Sequence, residues 1–561
     1  MITLDPLFLD HAVLQRDREL IIRGEFTGVH PSETFAVHPS ETFAVHPSET
    51  AAILPIDIPA DLSVTISLFR QTGEARSDAV FICRESSPAL FPDKDNRWKM
   101  TLPPQPAGGP YMLTVSSRSQ SGRCPSDTCS ISDVWFGDVY LLAGQSNMEF
   151  RLRNDSDFKA GSIETFEYPE IRSFRVPRID YAGAEPEKCA ENNTWSVLSK
   201  ETAGDFSAVS FFFAVHMNRH TGVPVGLIDV NKGGTSASCW IDESCLCADS
   251  DLRIYLDEYS QLLSHLDIAR NKEDHEAYYA NLAALNEKTA QCTAEGMTDF
   301  EIQQKLGLFP WPPPEGPFAY RSPCGLFHTM LEPCIPYGIR AVLFYQGEED
   351  IARSGLYKKL LASLIALWRR LWDMPDLPFF IVQIPPYEDP ENTTDAAAFL
   401  KEAQSEIAAE VPGVRMITTT DCGEKDNIHP QSKALIGERL FRSACRYLLG
   451  EDIAADYPRV SSSVNKDDCM FVEFDTRGGA LQAGLDGKDG ILYGFFLAGE
   501  DGIFYPADAS IHGNIVVVSS GCVISPRFVR YAFGRYVPAN LYNHSGIPAE
   551  PFRTDRFPYK K

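Results

Sequence analysis

Residues 137–150 read "GDVYLLAGQSNMEF". From Val139 to Ala143 every residue is apolar or aromatic, and the run stops at Gly144. That is the pattern of a buried strand ended by a turn, and glycine permits a sharper turn than a residue with a Cβ. Ser146 to Phe150 can then start a helix. A serine at such a junction is held at the carboxyl end of a strand, where open α/β sheets place their ligands. Serine is also a common helix N-cap, so this stretch alone leaves both a nucleophile and a cap open.

Outward from this strand the chain alternates. "VGLIDVN", "AVLFYQG", "PFFIVQI" and "VRMITTTD" are further strand candidates, and "FSAVSFFFAVHMNRHTG" and "SKALIGERLFRSACRYLLG" are helices between or after them. Strand-then-helix order predicts a parallel sheet covered on both faces. Residues 250–310 break the pattern. Tyr255, Tyr259, Leu262 and Leu266 recur at three- and four-residue spacing, which predicts an amphipathic helical insertion. The proline-rich "LFPWPPPEGPF" follows it. Residues 1–130 look all-β, with "ELIIRGEF", "VTISLF", "AVFIC" and "YMLTV" separated by turn residues, and residues 451–561 return to β with "MFVEFD", "LYGFFLAG" and "NIVVVSS". The expectation is a three-layer α/β domain over 131–450 that carries a β accessory region at each terminus.

The octapeptide "VHPSETFA" starts at Val29 and again at Val37, and "VHPSETAA" follows from Val45. A period of eight is too short for a solenoid. His30, His38 and His46 recur only because the unit is duplicated, and their Pro and Glu neighbours are turn and surface residues. A surface loop or hairpin is expected there, not a metal site.

At 561 residues the chain exceeds one core, and 44% hydrophobic content is that of an ordinary globular protein. The longest apolar runs fall far short of a membrane span. Fifty-one basic against 77 acidic residues give a net charge of −26, which argues against a nucleic-acid partner. The cysteines are scattered; Cys245/Cys247 and Cys124/Cys129 have no matching second pair for a zinc site, and mostly free, buried thiols are expected. "MITLDPLFLDHAVLQRD" at the N-terminus has no basic segment followed by an apolar core. The expectation is a cytoplasmic protein if Met1 is the native start, and a secreted or periplasmic one if a leader has been removed.

Three further stretches sit at predicted strand ends. Gly233 and Gly234 in "NKGGTSASCWI" leave backbone N–H groups open to an oxyanion, or form a simple tight turn. Gln346 in "YQGEED" offers an amide donor, or caps the next helix. In "DNIHPQSKALIGERL", His429 stands three residues after Asp426, an arrangement that suits a general base and its orienting acid. Each is ordinary alone. Together they come from four strand ends that converge on one crevice, and they supply every role a serine esterase needs.

"GQSNMEF", "YQGE" and "IHP", with "LFLDHAVLQRD" near the start and "RYAFGRYVPANLYNHSGIPAEPFRTD" near the end, resemble the sialate O-acetylesterase family of the SGNH (GDSL-like) hydrolases, which is related to the acetyl xylan esterases of carbohydrate esterase family 6. The resemblance implies a flavodoxin-like three-layer fold and removal of acetyl groups from sugars, 9-O-acetyl sialic acids first, with acetyl xylan or another polysaccharide as the alternative. A non-catalytic carbohydrate-binding protein is the reading from a different class. The resemblance further implies Ser146 as nucleophile, His429 as base and an oxyanion hole of Ser146, a glycine of Gly233-Gly234, and Gln346. It points to Asp426 as acid, with Asp421 as competitor or a Ser–His pair acting without one; Asn427 stands where relatives often carry Asp. Lys232 replaces an aromatic residue of the relatives. No metal or cofactor is expected. The 250–310 insertion is the expected wall or lid of the substrate site, with Trp240 and Trp311 as candidate sugar-stacking rings or ordinary packing residues, and Arg151, Arg153 and Arg353 as candidates for a sugar carboxylate.

Overall fold

The computed structural model describes residues 1–26, 62–71, 79–88, 97–119, 126–163, 167–186, 193–297, 299–307, 310–389, 394–477, 479–485, 487 and 490–559. The octapeptide repeat with His30, His38 and His46 lies outside them.

Six strands form the centre: β1 (Asp127–Gly144), β2 (Tyr168–Arg175), β3 (Val225–Asn231), β4 (Ala341–Tyr345), β5 (Phe379–Val382) and β6 (Val414–Ile417). They lie in the order β2-β3-β1-β4-β5-β6, and every neighbouring pair is parallel. Trp195–Leu198 adds an antiparallel edge beside β2. Without β2, the chain order across the sheet is that of a doubly wound fold, whose direction of winding switches between β1 and β4. Both strands end at that switch point with the residues expected to carry chemistry.

The main helices are α1 (Ser146–Glu149), α2 (Ala208–Thr221), α3 (Ile254–Ser264), α4 (Ile268–Ala294), α5 (Ser354–Leu371), α6 (Ala396–Glu410) and α7 (Ala434–Leu448). Successive side chains of a strand point to opposite faces. In β1, Val139, Leu141 and Ala143 share a core with Leu360, Leu364, Leu400 and Ile407 of α5 and α6. Tyr140 and Leu142 share the other with Val209, Phe213, Ile436 and Leu440 of α2 and α7. Burial on both faces is why this strand reads as an unbroken apolar run.

β1 is 18 residues long and belongs to two sheets. Its first half pairs antiparallel with Gly108–Ser119 of the N-terminal region, Val13–Gln15 joins it in parallel at Trp135–Gly137, and its second half is the centre of the parallel sheet. The sequence position 130/131 therefore falls inside one continuous strand. Gln15 Oε1 accepts the Val139 N–H at 2.9 Å, and the buried Asp138 pairs with Arg16 at 2.8 Å and Arg340 at 2.6 Å. The C-terminal β region, which includes Cys469–Asp475, Ile515–Ser519 and Phe528–Tyr531, is tied to the centre through Arg553–Glu402 (2.8 Å) and Tyr542–Asp421 (3.1 Å). β2 and Trp195–Leu198 escape the sequence reading because "YPEIRSFR" and "WSVL" lie at the sheet edge, where polar residues interrupt the apolar run.

Gly144 has φ +137°, and a Cβ there would lie 2.1 Å from the Tyr345 carbonyl oxygen of β4. Gly144→Ala is expected to destabilise the protein by at least about 2 kcal/mol in urea unfolding. An unchanged midpoint would mean that the two strand ends are not held this closely.

Candidate active site

The turn at Gly144 passes the chain to Gln145, whose N–H donates to Tyr345 O at 3.0 Å and whose Oε1 accepts the Gly347 N–H at 3.1 Å. The ends of β1 and β4 are thus fixed to each other, and Ser146 begins α1. The N-cap of α1 is Gln145, so Ser146 does not cap it. Its Oγ instead lies 2.8 Å from His429 Nε2. The loop carrying His429 is held at three points: Asn427 Oδ1 accepts the His429 N–H (3.0 Å), Asn147 Nδ2 donates to Ile428 O (3.1 Å), and Lys433 Nζ donates to Asn147 Oδ1 (2.7 Å).

Neither predicted acid meets the histidine. Asp426 is exposed, and the contacts of its loop with the site are made by Asn427 and Ile428. Asp421 is clamped by Arg439 through two bonds of 2.7 and 2.6 Å and accepts from Tyr542 at 3.1 Å. Among the described residues, no carboxylate is hydrogen-bonded to His429. Burial, reinforced by the Lys433 charge and opposed by Glu149, pushes the imidazole down to about 4. Burial also brings Lys433 itself down to about 8. The imidazole is therefore neutral near pH 7 and able to accept a proton.

The oxyanion donors are only partly as expected. Gly233 lies beside Ser146, but its N–H donates to Glu149 Oε2 at 2.6 Å. Burial works against ionising Glu149, yet Arg178, Arg151 and Lys232 outweigh it and hold the carboxyl at about 2. Ser146 N stands in the first turn of α1, where backbone donors have no intrahelical acceptor. Gln346 follows β4 as expected, but its side chain faces away from the cleft. Its Nε2 donates to Asp350 Oδ2 (2.6 Å) and Thr235 O (3.2 Å), and its Oε1 accepts from Tyr357 (3.0 Å). The reason is Asp350: buried beneath the site, this carboxylate takes its donors from Gln346, Ser236 and the Ala237 N–H.

Ser146 and His429 open into a cleft of about 920 Å³. Tyr278, Tyr279 and Leu282 of α4 form one wall, so the helical insertion borders the site as expected. Trp311 also lines the cleft and is 55% exposed. Trp240 does not: it is 1% exposed, and its Nε1 donates to Thr235 Oγ1. Arg151, Arg153 and Arg353 are paired with Asp229, Asp205 and Glu258, away from the cleft. Among the described residues, the arginine that does line it is Arg178, in "RVPRID", which no motif marks. Lys232, just before the two glycines, pairs with Asp180 at 3.1 Å and lies over the Tyr320 ring. Among the described residues, the donor group compact enough for a metal ion is His220, Cys445 and Glu451. It lies at the C-terminal ends of α2 and α7, beside the start of β4 and away from Ser146. No described cysteine is in a disulfide.

Residues 320–446, which contain β4, Gln346 and His429, match the family model described as "SASA: Carbohydrate esterase, sialic acid-specific acetylesterase". The class is therefore that of the carboxylic ester hydrolases. Sialate O-acetylesterase of Rattus norvegicus is 22% identical over 495 residues, covering 82% of this chain and 84% of the relative. The Homo sapiens enzyme of the same name is 23% identical over 376 residues, covering 63% of this chain and 61% of its own length. A crystal structure of a carbohydrate acetylesterase from Xanthomonas citri superposes with a TM-score of 0.71 at 25% identity, covering 99% of this chain and all of that one. Over residues 320–446 the chain thus resembles this carbohydrate esterase family, and the relatives matched over longer stretches bear the names sialate O-acetylesterase and carbohydrate acetylesterase.

A folded-state value below the ordinary 6.5 means that the structure favours neutral His429. Its contribution to stability is complete above pH 6.5 and is lost as pH falls toward 4. NMR titration is expected to find the imidazole titrating at about 4, and Lys433→Met should move it upward. Titration near 6.5 in the unmodified protein would mean that the ring is solvated.

Proposed function

We propose that this protein removes acetyl groups from sugar hydroxyls through an acetyl-serine intermediate. Ser146 is the nucleophile and His429 the general base. The observation that carries this reading is the 2.8 Å contact between Ser146 Oγ and His429 Nε2 at the switch point of the sheet. The relatives' names, sialate O-acetylesterase and carbohydrate acetylesterase, support the substrate class. The same reading takes the parallel sheet with its two helix layers as an SGNH fold, with the catalytic domain over 131–450 and the β regions as accessories.

Neutral His429 takes the Ser146 proton as Oγ attacks the acetyl carbonyl, and the resulting imidazolium gives that proton to the departing sugar oxygen. Water then releases acetate by the same route in reverse. The tetrahedral oxyanion is received by the Ser146 N–H and the Gly233-Gly234 backbone. Gly233 can contribute only after it gives up its bond to Glu149. Gln346 acts by positioning this backbone, since it holds the Thr235 carbonyl. The pair works without an orienting acid; Asn427, Asn147 and Lys433 hold the base through its backbone instead.

Ser146→Ala is expected to lower kcat for acetate release from acetylated sugars by about 10⁴-fold or more. Asp426→Asn should leave the rate close to that of the unmodified enzyme. Mass spectrometry after treatment with an organophosphate should find the adduct on Ser146. Acetate release that survives Ser146→Ala would remove the serine mechanism, and a strong loss in Asp426→Asn would restore the acid.

A further inference from the structure

We propose that the cleft beside Ser146 is built for an uncharged acetylated oligosaccharide, with Trp311 as the platform for a sugar ring. The inference rests on the sugar-ester reading above and narrows it. Two kinds of observation lead to it, one electrostatic and one geometric.

Among the described residues, Arg178 and Lys232 are the cations that line the cleft, and each already holds a carboxylate: Arg178 pairs with Glu149 at 2.6 Å and Lys232 with Asp180 at 3.1 Å. A sugar acid that took either cation would release Glu149 or Asp180 into the same space. That space is also lined by Glu185, by Glu348, which accepts from Asn147, and by Glu349, which pairs with Arg321. Like charges facing each other across a partly desolvated site oppose binding strongly. The same groups suit hydroxyls, because carboxylates accept the O–H hydrogens of a neutral sugar and ammonium and phenol groups donate to its oxygens.

Trp311 is exposed yet held in place. Its ring reaches Gly234, where a Cβ would lie 2.0 Å from Cη2, and the Arg321 guanidinium lies 5.1 Å from its centroid. An aromatic surface is thereby fixed against the peptide next to the nucleophile. Opposite, Tyr279 donates to Asp180 at 2.9 Å and Tyr278 to Pro310 O at 2.9 Å, so those rings are also anchored by their hydroxyls. Fixed rings that offer an apolar face with polar groups around it match the two-sided character of a sugar ring. A cleft of about 920 Å³ lies near the top of the roughly 300–1,000 Å³ range of small-molecule sites, which leaves room for more than one ring.

Binding to the Ser146→Ala protein tests this without turnover. The probes are an O-acetylated xylo-oligosaccharide, 9-O-acetyl-N-acetylneuraminic acid and the methyl ester of that acid, each titrated by calorimetry. The neutral oligosaccharide is expected to bind at least about tenfold more tightly than the acid, and the methyl ester to bind better than its parent acid. Adding Trp311→Ala should weaken oligosaccharide binding by about tenfold. Tighter binding of the acid, equal binding of all three, no binding of the oligosaccharide, or no effect of Trp311→Ala would each overturn the proposal. Hydrolysis of an aryl acetate by the unmodified enzyme is scored separately. Its absence would remove the serine mechanism, while the order of binding would still decide the substrate class.

Discussion

The site depends on one clamp between two strand ends. Gln145 donates from its backbone to the last residue of β4 and accepts the Gly347 N–H with its side chain, so the turns after β1 and β4 cannot move apart. Gly144 lets the strands approach this closely. Ser146 is delivered at a fixed position, and the Gln346–Asp350 bond beneath it carries that rigidity on to the Gly233–Ala237 backbone. A serine placed this way owes its position to sheet geometry and is not left to a flexible loop.

Much of the fold was legible because strands buried on both faces leave unbroken apolar runs, as Val139–Ala143 and Ala341–Tyr345 do. Ser146 and His429 were legible because each stands in a distinctive motif at a strand or helix end. What the sequence could not convey was the allegiance of polar side chains. Asp426 and Asp421 are both candidate acids in the sequence, yet one faces solvent and the other neutralises Arg439. Gln346 has the right chemistry at the right strand end, but the buried Asp350 claims its amide. Arg178 is invisible in the sequence because its partner, Glu149, belongs to a different segment. Such pairings are set by three-dimensional proximity, which linear spacing does not encode.

The electrostatics around the serine form a connected set. Lys433 lowers the proton affinity of His429 while its Nζ holds Asn147, which in turn holds the loop of that same histidine. Glu149 works in the opposite sense on the imidazole, and its own charge is kept by Arg178. The imidazole is tuned by one buried cation, Lys433 just ahead of α7, and one half-buried anion, Glu149 of α1, with neither hydrogen-bonded to the ring nitrogens. Position and proton affinity are thereby coupled, because the residue that supports the loop also sets its charge.

β1 has a consequence for how this protein can be taken apart. Its residues before Gly137 pair with the N-terminal β region and those after it form the middle of the parallel sheet. Cutting the chain at the change of composition would strip the partners from half a strand and leave a row of unpaired backbone groups, an open template for other chains. The N-terminal region is therefore not a detachable module that could be exchanged between relatives by recombination at position 130. It is inherited with the sheet, as the near half of the strand that carries the serine.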